Sequence, residues 1–333
     1  MVSALLIGLI CLIGCGNDVA AESPDVSGGE EEAWGEAASE EEARGSKSKN
    51  SSSKSAGTSA AKEVVIPKLL EPEASGTAVK TAEAAMIDYS HIDDGYVMVR
   101  YTQETDKRLK AMVKGPTTTY TYDCLPQRWE TFPLSDGNGE YSVTVYENIK
   151  DKEYATVVSE TFGLSLTNEF APFLRPNQFV DYVSATETVK KAAELTAGID
   201  GTLDKVTVVY NYVVSTLSYD TELAKTVQSG YLPVLDDVLK KKKGICFDYA
   251  AVMTGMLRSQ GIPCKLVVGF AGEAYHAWIS VWSDDAGWVD NIIQFDGKTW
   301  QRMDPTFASS AKNAESLKKF IGDNSNYEDK FYY

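Results

Sequence analysis

Cys246, His276 and Asp304 are the residues of this chain whose types and order could do covalent chemistry. Cys246 stands in "KKKKGICFDYAAVMTGML", residues 240–257, just after a lysine run stops at Gly244. A thiol in the first turn of a helix meets free backbone N–H groups and the positive end of the helix dipole. Both favour the thiolate. A lowered thiol pKa would make a nucleophile available near neutral pH. Such a nucleophile also needs a base and a group that orients the base. The chain has two histidines, His91 and His276. His276 lies in the strand-like stretch "YHAWISVW", residues 275–282, where alternation gives His276, Trp278, Ser280 and Trp282 one face. Asp304 lies in "MDPTF". Pro305 disfavours a helix there and holds Asp304 extended, so its carboxylate could bind one imidazole nitrogen and fix the tautomer. Nucleophile, base and orienter then follow in the order Cys, His, Asp. Taken singly, each has a plainer reading: a core thiol, a surface histidine, a turn aspartate. The ordered combination carries the weight.

Several helices must position this thiol. Residues 184–197 read as one, with Ser184 and Glu187 matching a capping box and Gly198 ending it. A second carries Leu203, Val206, Tyr210, Val213 and Leu217 on one face and stops near "SYD", 218–220. A third, "VLDDVLKKK", has acids early and bases late, and Gly244 stands where a C′ glycine would. The helix from Cys246 runs to about Gln260, before Gly261 and Pro263. Asp248 would cap its start. Strands follow at 265–270 and 275–282, then "WVDNIIQF" and "KTWQRMDPTF" joined by a turn at Asp296–Gly297. Helices followed by an antiparallel sheet make an α+β arrangement for residues 184–333.

Residues 63–168 read as an all-β, sandwich-like domain. Short β-branched or aromatic runs such as "GYVMVRYT" and "EYSVTVYENI" are separated by Gly, Asp, Asn and Pro. Nothing in it concentrates chemistry. "NEFAPFLRPNQFVDY" has two prolines and three phenylalanines and reads as a packed, extended connector over 169–183.

The N-terminal residues set an expectation about location. Residues 4–13 form an apolar run too short to span a bilayer and resemble a secretory h-region, although no Lys or Arg precedes it. "LIGC", residues 12–15, resembles a bacterial lipobox, so residues 1–15 would be a lipoprotein signal and Cys15 the lipidated residue. Residues 16–62, rich in Glu and Ser, would be a disordered tether. The expected location is the outer face of a bacterial cell membrane, held by the lipid anchor alone. Of five cysteines, Cys11 and Cys15 fall in the signal, leaving Cys124, Cys246 and Cys264. A disulfide framework does not fit an odd number, and a Cys124–Cys264 pair stays open. A net charge of −16 argues against nucleic-acid binding. Two separated histidines and no CxxC offer no metal ligand cluster, and no cofactor is implied.

The stretches "GICFDYAAVMTGMLRSQGIPCKLVVGF", "YHAWISVW" and "WQRMDPTF" resemble the core of the transglutaminase-like superfamily over roughly residues 185–310. The resemblance implies a papain-like α+β core with Cys246 as nucleophile, His276 as base and Asp304 as orienter. It implies acyl transfer through a thioester on amides of peptides or proteins; the expected tether outside the membrane makes cell-wall peptides a candidate substrate. The extra residues between His276 and Asp304 depart from the family pattern and look like an added hairpin at the cleft rim. The backbone N–H of Cys246 would serve as one oxyanion donor. Tyr219 is the candidate for a second, and Trp278 for a wall of the site. Hydrolysis and crosslinking share this triad, with hydrolysis favoured because no acceptor site is recognisable. The alternative is a non-catalytic peptide- or cell-wall-binding module that keeps the fold.

Overall fold

Alternating apolar and polar residues build the N-terminal region. In β4 (Leu109–Lys114) and β7 (Gly139–Lys150), Leu109, Ala111, Val113, Tyr141, Val143 and Val145 turn inward and are buried. Eight strands form two antiparallel four-stranded sheets. One has the order β1 (Val79–Thr81), β2 (Ala85–Asp88), β3 (Tyr96–Tyr101), β6 (Trp129–Pro133). The other runs β5 (Thr119–Cys124), β4, β7, β8 (Glu153–Leu164). The computed structural model describes residues 64–271, 274–290, 294–295, 300–301 and 327–333. Cys15, the leader and the whole of the expected tether lie outside these, as do Asp304 and the expected turn at Asp296–Gly297. Strands β1, β2 and β6 are additions to the sequence reading. They are short, and only β2 and β3 side by side make their apolar residues a core.

The connector packs as expected. Ala171, Pro172 and Phe173 form a buried 3-10 turn, and Val180 and Tyr182 are buried further on. Helices α1 (Glu187–Thr196), α2 (Thr202–Thr216), α3 (Thr221–Thr226), α4 (Leu235–Lys241) and α5 (Cys246–Arg258) follow. The expected Ser184/Glu187 capping box is not what starts α1. The Asp236 carboxylate of α4 accepts from the backbone N–H groups of Glu187 and Thr188, at 3.0 and 2.9 Å. A carboxylate 48 residues downstream in sequence (from Thr188) is invisible to a local pattern. Gly244 is likewise not the residue that ends α4. Lys242 takes the left-handed conformation there, with φ 54°.

The sheet behind α5 has the order β13 (Gly287–Val289), β12 (Ala274–Ser283), β11 (Cys264–Ala271), β16 (Tyr327–Tyr332). It is antiparallel throughout. A two-strand hairpin pairs β14 (Gln294–Phe295) with β15 (Trp300–Gln301), within the extra residues noted above. Helices followed by an antiparallel sheet, behind a strand-rich N-terminal region, make this an α+β fold. β16 was not expected. Its sequence, YEDKFY, is mostly polar on one face, and its partner strand lies some 60 residues earlier.

The two regions share one core. The Tyr333 ring lies 5.7 Å from Tyr120, 5.9 Å from Tyr122 and 4.6 Å from Phe179. At the far end of α5, the buried Arg258 guanidinium donates to the carbonyls of Cys264, Arg175 and Tyr333 at 2.9, 2.7 and 2.5 Å. One side chain thus ties helix, connector and final strand. Among the described residues, no helix is long and apolar enough to cross a membrane.

Candidate active site

A set of short-range interactions aims the start of α5. A two-residue parallel bridge pairs β9 (Ser218–Tyr219) with β10 (Lys243–Gly244), setting Tyr219 opposite Gly244. The Asp220 N–H donates to the Gly244 carbonyl at 2.9 Å, and Lys243 pairs with the Asp220 carboxylate at 2.9 Å. Asp248, at the third helical position, reaches back to accept from the Ile245 N–H at 2.8 Å. Tyr231 donates to its other oxygen at 2.7 Å. Gly244 has a packing reason: a Cβ there would meet the Asp248 Cβ at 2.7 Å. Asp248 caps the helix start, as its position suggested. Tyr231 is a partner that no spacing rule could find.

Cys246 therefore sits at the first residue of α5, 2% exposed. Its sulfur takes the backbone N–H of Ala277, the residue after His276. The thiol thus meets the histidine strand at its main chain. Tyr219 is close enough for the Cys246 charge to act on its hydroxyl, and burial with that charge raises the Tyr219 pKa, keeping the hydroxyl a donor. His276 is buried, and its ring lies 6.2 Å from that of Trp278, which is fully buried. The structure thus brings Cys246, Tyr219 and the His276 strand together. Asp304 lies outside the described residues.

The charge state of the thiol differs from the expectation. Burial is the largest influence on Cys246 and pushes its pKa from 9.0 up to about 12. The N–H groups of Ala277 and Phe247 pull the other way, and the Asp248 charge adds to the rise. A rise of that size corresponds to about 4 kcal/mol, against about 0.3–1 kcal/mol from a helix terminus. Desolvation wins. Burial also takes His276 from 6.5 down to about 4. Both shifts favour the uncharged forms, a thiol and an imidazole, and a neutral imidazole can accept a proton.

Cys124, Cys246 and Cys264 are all free thiols, so Cys124 and Cys264 do not pair. Cys264 lies against the Thr254 hydroxyl at 3.6 Å in the core. Among the described residues, no cluster of His, Cys, Asp and Glu could hold a metal ion.

Residues 189–305 match the model of the transglutaminase-like superfamily, about a third of the chain. UPF0252 protein MJ1282 of Methanocaldococcus jannaschii is 25% identical over 174 residues, 46% of this chain and 49% of that protein. A protein-glutamine gamma-glutamyltransferase of Pseudomonas aeruginosa is 27% identical over 109 residues, 28% of this chain and 14% of that enzyme. The chain thus spans about half the length of the first relative and a seventh of the second. The crystal structure of red sea bream transglutaminase aligns with 70% of this chain and 54% of its own at 15% identity and a TM-score of 0.28.

Proposed function

We propose that this chain is a thiol enzyme acting on amide bonds of peptides or proteins. Cys246 is the nucleophile, His276 the base and Asp304 the group that orients the imidazole. One observation carries this reading: a thiol at a helix start takes a main-chain N–H from the strand of His276, within the matched region. In the reaction, His276 accepts the thiol proton as sulfur bonds to the amide carbonyl carbon. The tetrahedral oxyanion is held by the Cys246 N–H and the Tyr219 hydroxyl. Collapse expels the amine, which takes the proton from His276 and leaves a thioester. Water or an acceptor amine then attacks the thioester carbon as His276 accepts its proton, the carbon–sulfur bond breaks, and the departing Cys246 sulfur takes that proton back from His276. Hydrolysis is the favoured outcome, and the chain works outside the membrane, tethered through Cys15.

Mass spectrometry of the full chain incubated with peptide mixtures and a primary amine tests this. New chain ends report hydrolysis, and amine-linked products with loss of ammonia report crosslinking. Cys246→Ala should abolish either, by roughly 10³-fold or more. Equal turnover by wild type and Cys246→Ala would sink the reading. The sealed, neutral thiol favours a second reading, a binding module that keeps the fold. That reading predicts peptide capture without turnover, unchanged in Cys246→Ala.

A further inference from the structure

The register of the sheet behind α5 places His276, Gly269 and Asp329 in one row across β12, β11 and β16. The next row is Trp278, Val267 and Tyr332. Directly opposed residues in antiparallel pairs share a face, so these side chains stand on one side. Gly269 leaves a gap between His276 and Asp329, and Trp278 fills it. A Cβ on Gly269 would come within 3.0 Å of the Trp278 Cη2 and would collide with the Glu328 carbonyl. That carbonyl is driven close by a bulge between Val268 and Gly269, where β16 shifts register. Bulges re-aim side chains beside active sites. Here the bulge brings Asp329 under the indole. The Trp278 indole lies near enough to Asp329 for its N–H to favour the carboxylate charge, Tyr332 donates to the same carboxylate at 3.0 Å, and the Trp278 ring meets Tyr327 edge-on at 5.3 Å.

We propose that Asp329 is a positioning residue for the Cys246–His276 site: it holds the Trp278 indole across Gly269 and so fixes the wall beside the His276 ring. β16 lies beyond the residues that match the superfamily model. Asp329 acts only through another side chain, since two strand spacings, about 10 Å, separate it from His276. Asp290 and Lys265 also face Asp329, and Asp248 faces the thiol. All three are left unchanged in the test. The proposal rests on His276 being the base.

The test uses the full chain. Site-resolved alkylation of Cys246 by iodoacetamide is followed across pH, with Cys124 and Cys264 as internal references and a urea midpoint as a stability control. Near-ultraviolet circular dichroism reads the stance of Trp278. Asp329→Leu should flatten the tryptophan signal, displace the pH profile of Cys246 alkylation and change its rate roughly tenfold. Asp329→Asn, which keeps an oxygen for the indole, should stay near wild type. Asp329→Glu, which moves the carboxylate without removing it, should fall between and serves if the leucine variant does not fold. A pH profile that superposes on wild type in both the leucine and glutamate variants, with only the urea midpoint moved, overturns the positioning role. His276→Gln separates the two levels. If it alone displaces the Cys246 profile, the base reading stands and the Asp329 proposal falls. If His276→Gln changes nothing, the base reading and this proposal fall together.

Discussion

The two ends of α5 each bury an ionisable group, and they treat it in opposite ways. At the C-terminal end, Arg258 gives its guanidinium N–H groups to three main-chain carbonyls. Burial lowers its pKa, yet every one of those contacts favours the cation, so it has one state. At the N-terminal end, main-chain N–H groups favour the Cys246 thiolate while burial and Asp248 oppose it. That group is held between two states. Burial alone therefore does not separate structure from chemistry. What separates them is whether the surrounding dipoles and the loss of water agree. Stability is built where every partner supports one charge form, and reactivity where they disagree.

The strongest attempt to break this contrast is Arg258→Met. It removes the guanidinium donor from three main-chain carbonyls, of which that of Tyr333 still accepts from the Leu266 N–H, and should cost about 3–5 kcal/mol by urea denaturation. It should leave the pH profile of Cys246 alkylation in place. A displaced profile would mean that the two ends are coupled and the contrast is false. His276 comes next. Its folded pKa near 4 lies below the unfolded 6.5, so between these values the unfolded chain binds the extra proton. Stability should then fall as pH drops through that window, by up to about 3 kcal/mol from this residue. In His276→Gln that part of the loss should vanish, read from urea midpoints on either side of the window. Asp248→Asn keeps an acceptor for Ile245 and Tyr231 but removes a charge. It should cost about 1 kcal/mol while making the thiol more acidic, so that Cys246 is alkylated faster. Slower alkylation would show that Asp248 does not oppose the thiolate. The smallest effect is at the end of α4. Lys242→Gly relieves a left-handed residue and should stabilise by about 0.5–1 kcal/mol, with no change at the thiol. Destabilisation would mean the Lys242 side chain contributes more than its backbone costs.

Periodicity made the helices around the site legible. Val206, Tyr210 and Val213 do bury one face of α2, and Cys246 does begin α5. Alternation likewise placed Trp278 next to His276. These are short-range patterns written within a dozen residues. What escaped was set at long range. Asp236 caps α1 from another helix. Lys242 accepts a conformation that Gly244 was expected to take, because Gly244 is needed to admit Asp248. The charge state of Cys246 depends on how completely the fold closes over it, which no helix-terminus rule contains. Asp329 reaches Trp278 only because a bulge re-registers a strand 60 residues further along the chain.

Tyr333 has a consequence for how this molecule melts. Its ring stands among Tyr120, Tyr122 and Phe179, while its main chain exchanges hydrogen bonds with Leu266 at 2.8 and 2.9 Å. Pulling the sandwich away from the helical half would strip that ring of its neighbours and loosen the edge of the sheet that carries His276. Separation and local unfolding are then the same event. The two halves should melt as one cooperative unit, with a single heat-absorption peak whose van't Hoff and calorimetric enthalpies agree.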